Sequence, residues 1–123
     1  MNLSPFEEFD LSPELLKALE KKGYTRPTAI QLEAIPAAME ERDVLGSAPT
    51  GTGKTASFGL PMLQKINVRN RKVQGLVIAP TRELAIQTQE ELYRLGKDKK
   101  IHVQAVYGGA DIGRQIRQLK ENP

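Results

Sequence analysis

Between Ala48 and Thr55 the sequence reads APTGTGKT, preceded by the short apolar stretch DVLG and followed by a helical pattern. Backbone N–H groups can converge on one anion only where side chains do not block them, and Gly51 and Gly53 clear that space. A helix beginning at Lys54 would aim the positive end of its dipole at the same point. Such a nest suits the phosphates of a nucleotide: Lys54 can reach the β and γ phosphates, and the Thr55 hydroxyl can ligate a phosphate-bound Mg2+. One position departs from the G-x-x-x-x-G-K-[ST] pattern, because Ala48 stands where its first glycine is expected.

Two further groups lie downstream. Thr81 and Arg82 follow the apolar run VQGLVIAP, and Gly108 and Gly109 close IHVQAVYGG. If both runs are strands, the two groups share the carboxyl edge of one sheet, where open α/β sheets bind ligands. Thr81 and Arg82 suit a phosphate contact there. The glycine pair either admits a close backbone approach or makes an ordinary strand-to-helix turn. His102 alternates with apolar neighbours and reads as structural. Taken alone, Tyr24 is a half-buried aromatic and Gln31 a polar residue on a helix surface.

The elements that must position these residues follow from caps and periodicity. Ser12-Pro13 is an N-cap with proline at the first helical position, Leu15, Leu16 and Leu19 fall at helical spacing, and Gly23 ends the element. A second helical pattern from Thr28 contains Pro36, which predicts a kink or two short helices. DVLGSAP predicts a strand entering the glycine-rich loop, and a helix follows from about Lys54 to Ile66, disturbed near Gly59 and Pro61. VQGLVIAP predicts a second strand, RELAIQTQEELYRLG a helix, IHVQAVYGG a third strand, and Asp111 caps a last helix running to Leu119. Alternating strands and helices predict an α/β fold with a parallel sheet and helices on both faces.

In order, GYTRPTAIQ (Gly23 to Gln31), APTGTGKT, PTRELA (Pro80 to Ala85) and Gly108-Gly109 resemble the Q motif, motif I, motif Ia and the GG motif of the DEAD-box ATP-dependent RNA helicases, bacterial type. Phe6 stands where that family has an isolated upstream aromatic. The resemblance implies a partial RecA-like P-loop domain with ATP and Mg2+ as cofactors. Tyr24, Arg26 and Gln31 would bind the nucleotide together with Ala48, Pro49, Thr50, Gly51, Thr52, Gly53, Lys54 and Thr55. In that frame Tyr24 stacks on adenine, and the Gln31 amide, which donates and accepts at once, pairs with its N6 and N7 edge. Lys54 and Thr55 would be the catalytic members, with Thr55 on the metal. Thr81, Arg82, Gly108 and Gly109 would touch RNA sugar-phosphates without sequence preference.

The sequence contains no DEAD tetrapeptide, no SAT and no second domain with an arginine finger. Residues 1–123 are therefore expected to be the amino-terminal part of the first RecA-like domain, with a Q-motif region in 1–31 and a P-loop core in 43–123, cut before motif II. The parent would be an RNA helicase and ATP hydrolase, and the 123-residue chain alone inactive. Two alternatives are a nucleotide-binding or RNA-binding module without catalysis and another P-loop NTPase. The second lacks a reason for GYTRPTAIQ upstream of the loop.

Composition sets the outer bounds. With 123 residues, 39% hydrophobic and 27% charged, one small globular domain is the ceiling. The absence of cysteine excludes disulfides and thiolate metal sites. Glu7, Glu8 and Asp10 oppose a secretory leader, and no apolar run approaches a membrane span, so a cytoplasmic location without membrane contact is expected. The net charge of +3 permits a polyanion partner, and protein partners are not specified by any motif.

Overall fold

Caps and prolines delimit the first helices. The computed structural model describes residues 5–123. A 3-10 turn, Pro5–Phe9, leads to α1, Pro13–Lys21, with Ser12 in extended conformation before it and Pro13 in its first turn, as the sequence predicts. At the other end Gly23 adopts φ +78°, the Gly23 N–H donates to the Glu20 carbonyl and the Tyr24 N–H to the Leu19 carbonyl. This pair of bonds closes the helix and turns Tyr24 back against the core.

Helix α2, Ala29–Met39, contains Pro36 and remains one element rather than two. Its C-terminal end is held from outside by Lys65, whose Nζ donates to the Ala38 carbonyl at 2.7 Å. Helix α3, Lys54–Lys65, receives the same treatment from Lys99, which donates to the carbonyls of Leu63 and Gln64. Lys99 satisfies carbonyls at the end of α3, Lys65 adds a second donor to the Ala38 carbonyl that already takes the Glu41 N–H, and both cations complement the negative pole of the dipole. Helix α4, Arg82–Gly96, starts with the Thr81 hydroxyl accepting the Leu84 N–H, and α5, Ile112–Leu119, with Asp111 accepting from Arg114.

Helices α1, α2, α3 and α4 enclose one core. Phe6, Leu15, Leu19, Ile35, Leu60, Leu63 and Leu95 are all sealed from solvent in it, and Phe6 meets Phe9 edge to face with ring centroids 6.1 Å apart. Fully burying a side chain of this size contributes about 1.5–3 kcal/mol, so these seven dominate the stability of the helical layer.

The expected parallel sheet is not formed. Among the described residues there are five α-helices and two 3-10 turns, Pro5–Phe9 and Lys97–Lys99, and no strand. The fold class is therefore all-helical, not α/β. The segments 43–49, 73–79 and 101–107 run without regular structure, and no backbone hydrogen bond joins them. Residues 73–79 and 100–106 instead line a cavity of about 510 Å³, shared with Met62 and Leu92. Leu45 and Ile78 are exposed. The physical distinction is one of range: a helix closes its bonds four residues away, whereas an apolar run becomes a strand only when another backbone lies about 4.8 Å to its side. The runs carry the composition of buried strands without that neighbour.

Leu60→Ala should destabilise the chain by about 2–5 kcal/mol by opening a cavity between α3 and α4. Gly23→Ala should cost about 1–2 kcal/mol through its left-handed backbone alone, because no atom lies within 4 Å of the added methyl. Urea unfolding followed by far-UV circular dichroism checks both; equal losses would contradict the packing described.

Candidate functional site

The loop before α3 is shaped by its glycines. Gly51 (φ +84°) and Gly53 (φ +78°) take left-handed conformations that other residues adopt only at a cost, and Gly53 is the N-cap of α3. The first hydrogen bond of the helix is Ser57 N–H to the Gly53 carbonyl. Among the described residues the N–H groups from Gly51 to Ala56 meet no acceptor. Six successive donors are thus left at the positive pole of a 12-residue helix.

Helix α2 grips this loop from behind. Gln31, 2% exposed, accepts the Thr28 N–H on Oε1 at 2.9 Å and donates from Nε2 to the Gly53 carbonyl at 3.1 Å. Thr28 donates its hydroxyl to the Thr52 carbonyl at 2.7 Å, and Thr52 in turn bonds the Pro49 carbonyl at 2.6 Å. A Cβ at Gly53 would collide with Gln31 Nε2. Each Gln31 amide atom retains one further bonding position, a second N–H and a second lone pair.

Of the residues singled out in the sequence, Gln31, Thr52 and Gly53 are thus brought together with Lys54 and Thr55 in the following turn. Pro49, Thr50 and Gly51 are exposed, Ala48 is half-buried, and Lys54 is exposed with no ion pair among the described residues. Tyr24 and Arg26 have no bond to the loop. Arg26 is exposed, and the Tyr24 hydroxyl donates to Glu91 on α4 at 3.1 Å, with Lys22 also bound to Glu91 and lying over the Tyr24 ring.

The second group gathers at the start of α4. The Arg82 guanidinium lies 5.7 Å from the centroid of the Tyr107 ring, and a Cβ on Gly109, φ +79°, would stand 3.0 Å from Arg82 Nη1. Arg82 makes no ion pair among the described residues. Thr81 is occupied as the cap of α4, and Gly108 faces open space. His102 is exposed beside the 510 Å³ cavity. Sequence reasoning missed Thr28, Glu91, Tyr107 and Gln115. The Thr28-x-x-Gln31 spacing is a capping-box signal that points to Thr28; no comparable pattern marks the other three.

Burial and the neighbouring Glu91 carboxylate raise the Tyr24 phenol above its ordinary value of 10.0. A raised folded-state value contributes stability that is complete below pH 10 and is lost as pH rises through the folded value. Tyr24→Phe should therefore flatten the alkaline fall in the urea midpoint as pH rises above 10.0. An unchanged alkaline limb would contradict the Tyr24–Glu91 contact.

Among the described residues no helix is long and apolar enough to cross a membrane, and no group of three or more His, Cys, Asp and Glu could hold a metal. Residues 28–123 match the DEAD/DEAH box helicase family. The chain is 58% identical over 118 residues to the ATP-dependent RNA helicase CshA of Limosilactobacillus reuteri, covering 96% of this chain and 24% of that protein. It is 54% identical over 118 residues to the DEAD-box ATP-dependent RNA helicase CshA of Bacillus subtilis, with the same coverage. The chain thus spans about a quarter of the length of the curated relatives it matches. Among solved structures it resembles the RNA helicase Prp28 from Chaetomium thermophilum bound to ADP, with a TM-score of 0.85 at 36% identity over 98% of this chain and 30% of that one. It also resembles S. cerevisiae Dbp5 bound to RNA and ADP BeF3, with a TM-score of 0.78 at 29% identity over 98% of this chain and 36% of that one. With a family match over residues 28–123, most of its length, this chain belongs to the DEAD/DEAH box helicase family.

Proposed function

We propose that this chain supplies the ATP-binding loop and part of the RNA-binding surface of an ATP-dependent RNA helicase. The observation that carries the proposal is the run of unpartnered N–H groups from Gly51 to Ala56 at the N-terminus of α3. Those donors suit a nucleotide's phosphates, and the exposed Lys54 adds a cation beside them. Ala48, Pro49, Thr50 and Thr52 complete the loop.

Base recognition falls to the region of residues 1–31. The free N–H and lone pair of the Gln31 amide match the donor and acceptor on the adenine edge. Tyr24 would offer its ring face and Arg26 its exposed charge. Thr55, half-buried in the first turn of α3 with no side-chain partner among the described residues, would hold Mg2+. Bound there, the metal would neutralise charge on the β and γ phosphates. Residues 43–123 carry the phosphate loop and the RNA-facing group of Thr81, Arg82, Gly108 and Gly109, which would contact sugar-phosphates of any sequence. Such a protein works in the cytoplasm.

Two carboxylates downstream of the loop are already engaged. Asp98 pairs with Lys21 and Asp111 caps α5. Water attack on a γ phosphate needs a carboxylate-held metal, a group orienting the water and a cation on the developing charge. We infer that the 123 residues alone bind nucleotide and RNA without turnover, and that hydrolysis and unwinding belong to the longer protein.

Nucleotide titration of the longer protein tests the loop. Lys54→Ala should weaken ATP binding by roughly tenfold or more, the loss of about 1.5–3 kcal/mol in charge-assisted bonds, whereas Lys65→Ala should leave it nearly unchanged. Equal effects of the two substitutions would sink the assignment.

A further inference from the structure

A buried amide in α5 has no task in the nucleotide loop. Gln115, 8% exposed, accepts the Tyr107 N–H on Oε1 at 2.9 Å and donates from Nε2 to the Tyr107 carbonyl at 3.0 Å. Its own carbonyl accepts Gln104 Nε2 at 3.0 Å. One side chain thus gives Tyr107 the two bonds that a neighbouring strand would give, in a segment that pairs with no strand. Both φ and ψ of Tyr107 are pinned by this clamp, and with them the direction in which its ring leaves the backbone.

The ring meets Arg82. The guanidinium lies 5.7 Å from the ring centroid, and a Cβ on Gly109 would stand 3.0 Å from Arg82 Nη1, so the exposed Arg82 tip packs beside both the ring and the Gly109 backbone. Its charge makes no ion pair among the described residues. A long side chain held in place loses less rotamer freedom when it meets a phosphate.

We propose that Gln115 is a positioning residue for RNA binding, acting through Tyr107 to pre-orient Arg82 toward the phosphate backbone. This rests on the RNA-facing role given above to Arg82. Gln115→Leu keeps similar volume and removes both bonds to Tyr107, so Arg82 would have to be ordered at the moment of binding.

The test uses the longer protein and a short fluorescein-labelled oligouridylate, with binding followed by anisotropy across a salt series. Gln115→Leu should raise the RNA Kd about tenfold and reduce the magnitude of the log Kd against log salt slope by about one, the signature of one lost phosphate contact. Adding Arg82→Ala to Gln115→Leu should cause little further loss, and ATP affinity should stay within about twofold, because the two substitutions disable one contact remote from the phosphate loop. Tyr107→Leu leaves the backbone clamp in place and removes only the ring; it should show the same non-additivity with Arg82→Ala, which keeps the test decisive if Gln115→Leu folds poorly. If Arg82→Ala weakens RNA binding while Gln115→Leu or Tyr107→Leu adds its own full effect to it, the positioning role is overturned. If Arg82→Ala itself leaves RNA binding unchanged, the RNA-facing role fails and the positioning role with it.

Discussion

The glycine-rich loop before α3 depends on one buried amide. Gln31 ties the start of α2, through the Thr28 N–H, to the Gly53 carbonyl at the start of α3. A buried primary amide without partners would cost about 1–3 kcal/mol, so the two elements and the loop between them are held in one register by the need to satisfy it. The same bond explains why residue 53 has no side chain: the space a Cβ would fill is taken by Gln31 Nε2. Thr28 adds a second tie by bonding the Thr52 carbonyl. With these carbonyls turned toward α2, the N–H groups from Gly51 to Ala56 remain without acceptors among the described residues.

Helix α4 connects the remaining parts. Near its middle Glu91 holds Tyr24 and Lys22, and at its first residue Arg82 meets Tyr107 and Gly109. Buried Leu92 and Leu95 fix the helix to α3 and α1 through the core. Tyr24, proposed for the nucleotide base, and Arg82, proposed for RNA, therefore sit against and on a single packed helix of 15 residues. Helix ends elsewhere are secured by donors from other elements, Lys65 on α2 and Lys99 on α3, so that each helix stabilises its neighbour.

Local signals were legible in the sequence and non-local ones were not. The starts of α1 and α5 were readable because Pro13 sits in the first turn of α1 and Asp111 accepts the Arg114 N–H of α5; the Ser12 hydroxyl expected to cap α1 makes no such bond, and the cap role of Thr81 was not read. The glycine-rich turn before α3 was readable because Gly51 and Gly53 lie next to the helix start they shape. The sheet was misread: the apolar runs at 43–49, 73–79 and 101–107 have strand composition, but pairing depends on what lies beside them, and among the described residues no backbone hydrogen bond joins them. The inward face of α5 was hidden for a related reason. Its Ile112, Ile116 and Leu119 form the apolar stripe yet are exposed, while Gln115 is buried because the Tyr107 backbone needs its amide. The Gln31 contact with Thr28 was within reach of a capping-box spacing, but its bond to the Gly53 carbonyl lay outside what spacing could specify.

The central claim is that the unpartnered donors of the α3 N-terminus receive phosphate. Amide chemical shifts of this chain, followed by two-dimensional NMR while ATP is titrated, test it most directly. Concentrated, saturable shifts at Gly51, Thr52, Gly53, Lys54, Thr55 and Ala56, reproduced in part by inorganic triphosphate, are the expected result. Shifts confined to the 510 Å³ cavity lined by residues 73–79 and 100–106, with those six amides unmoved, would contradict it.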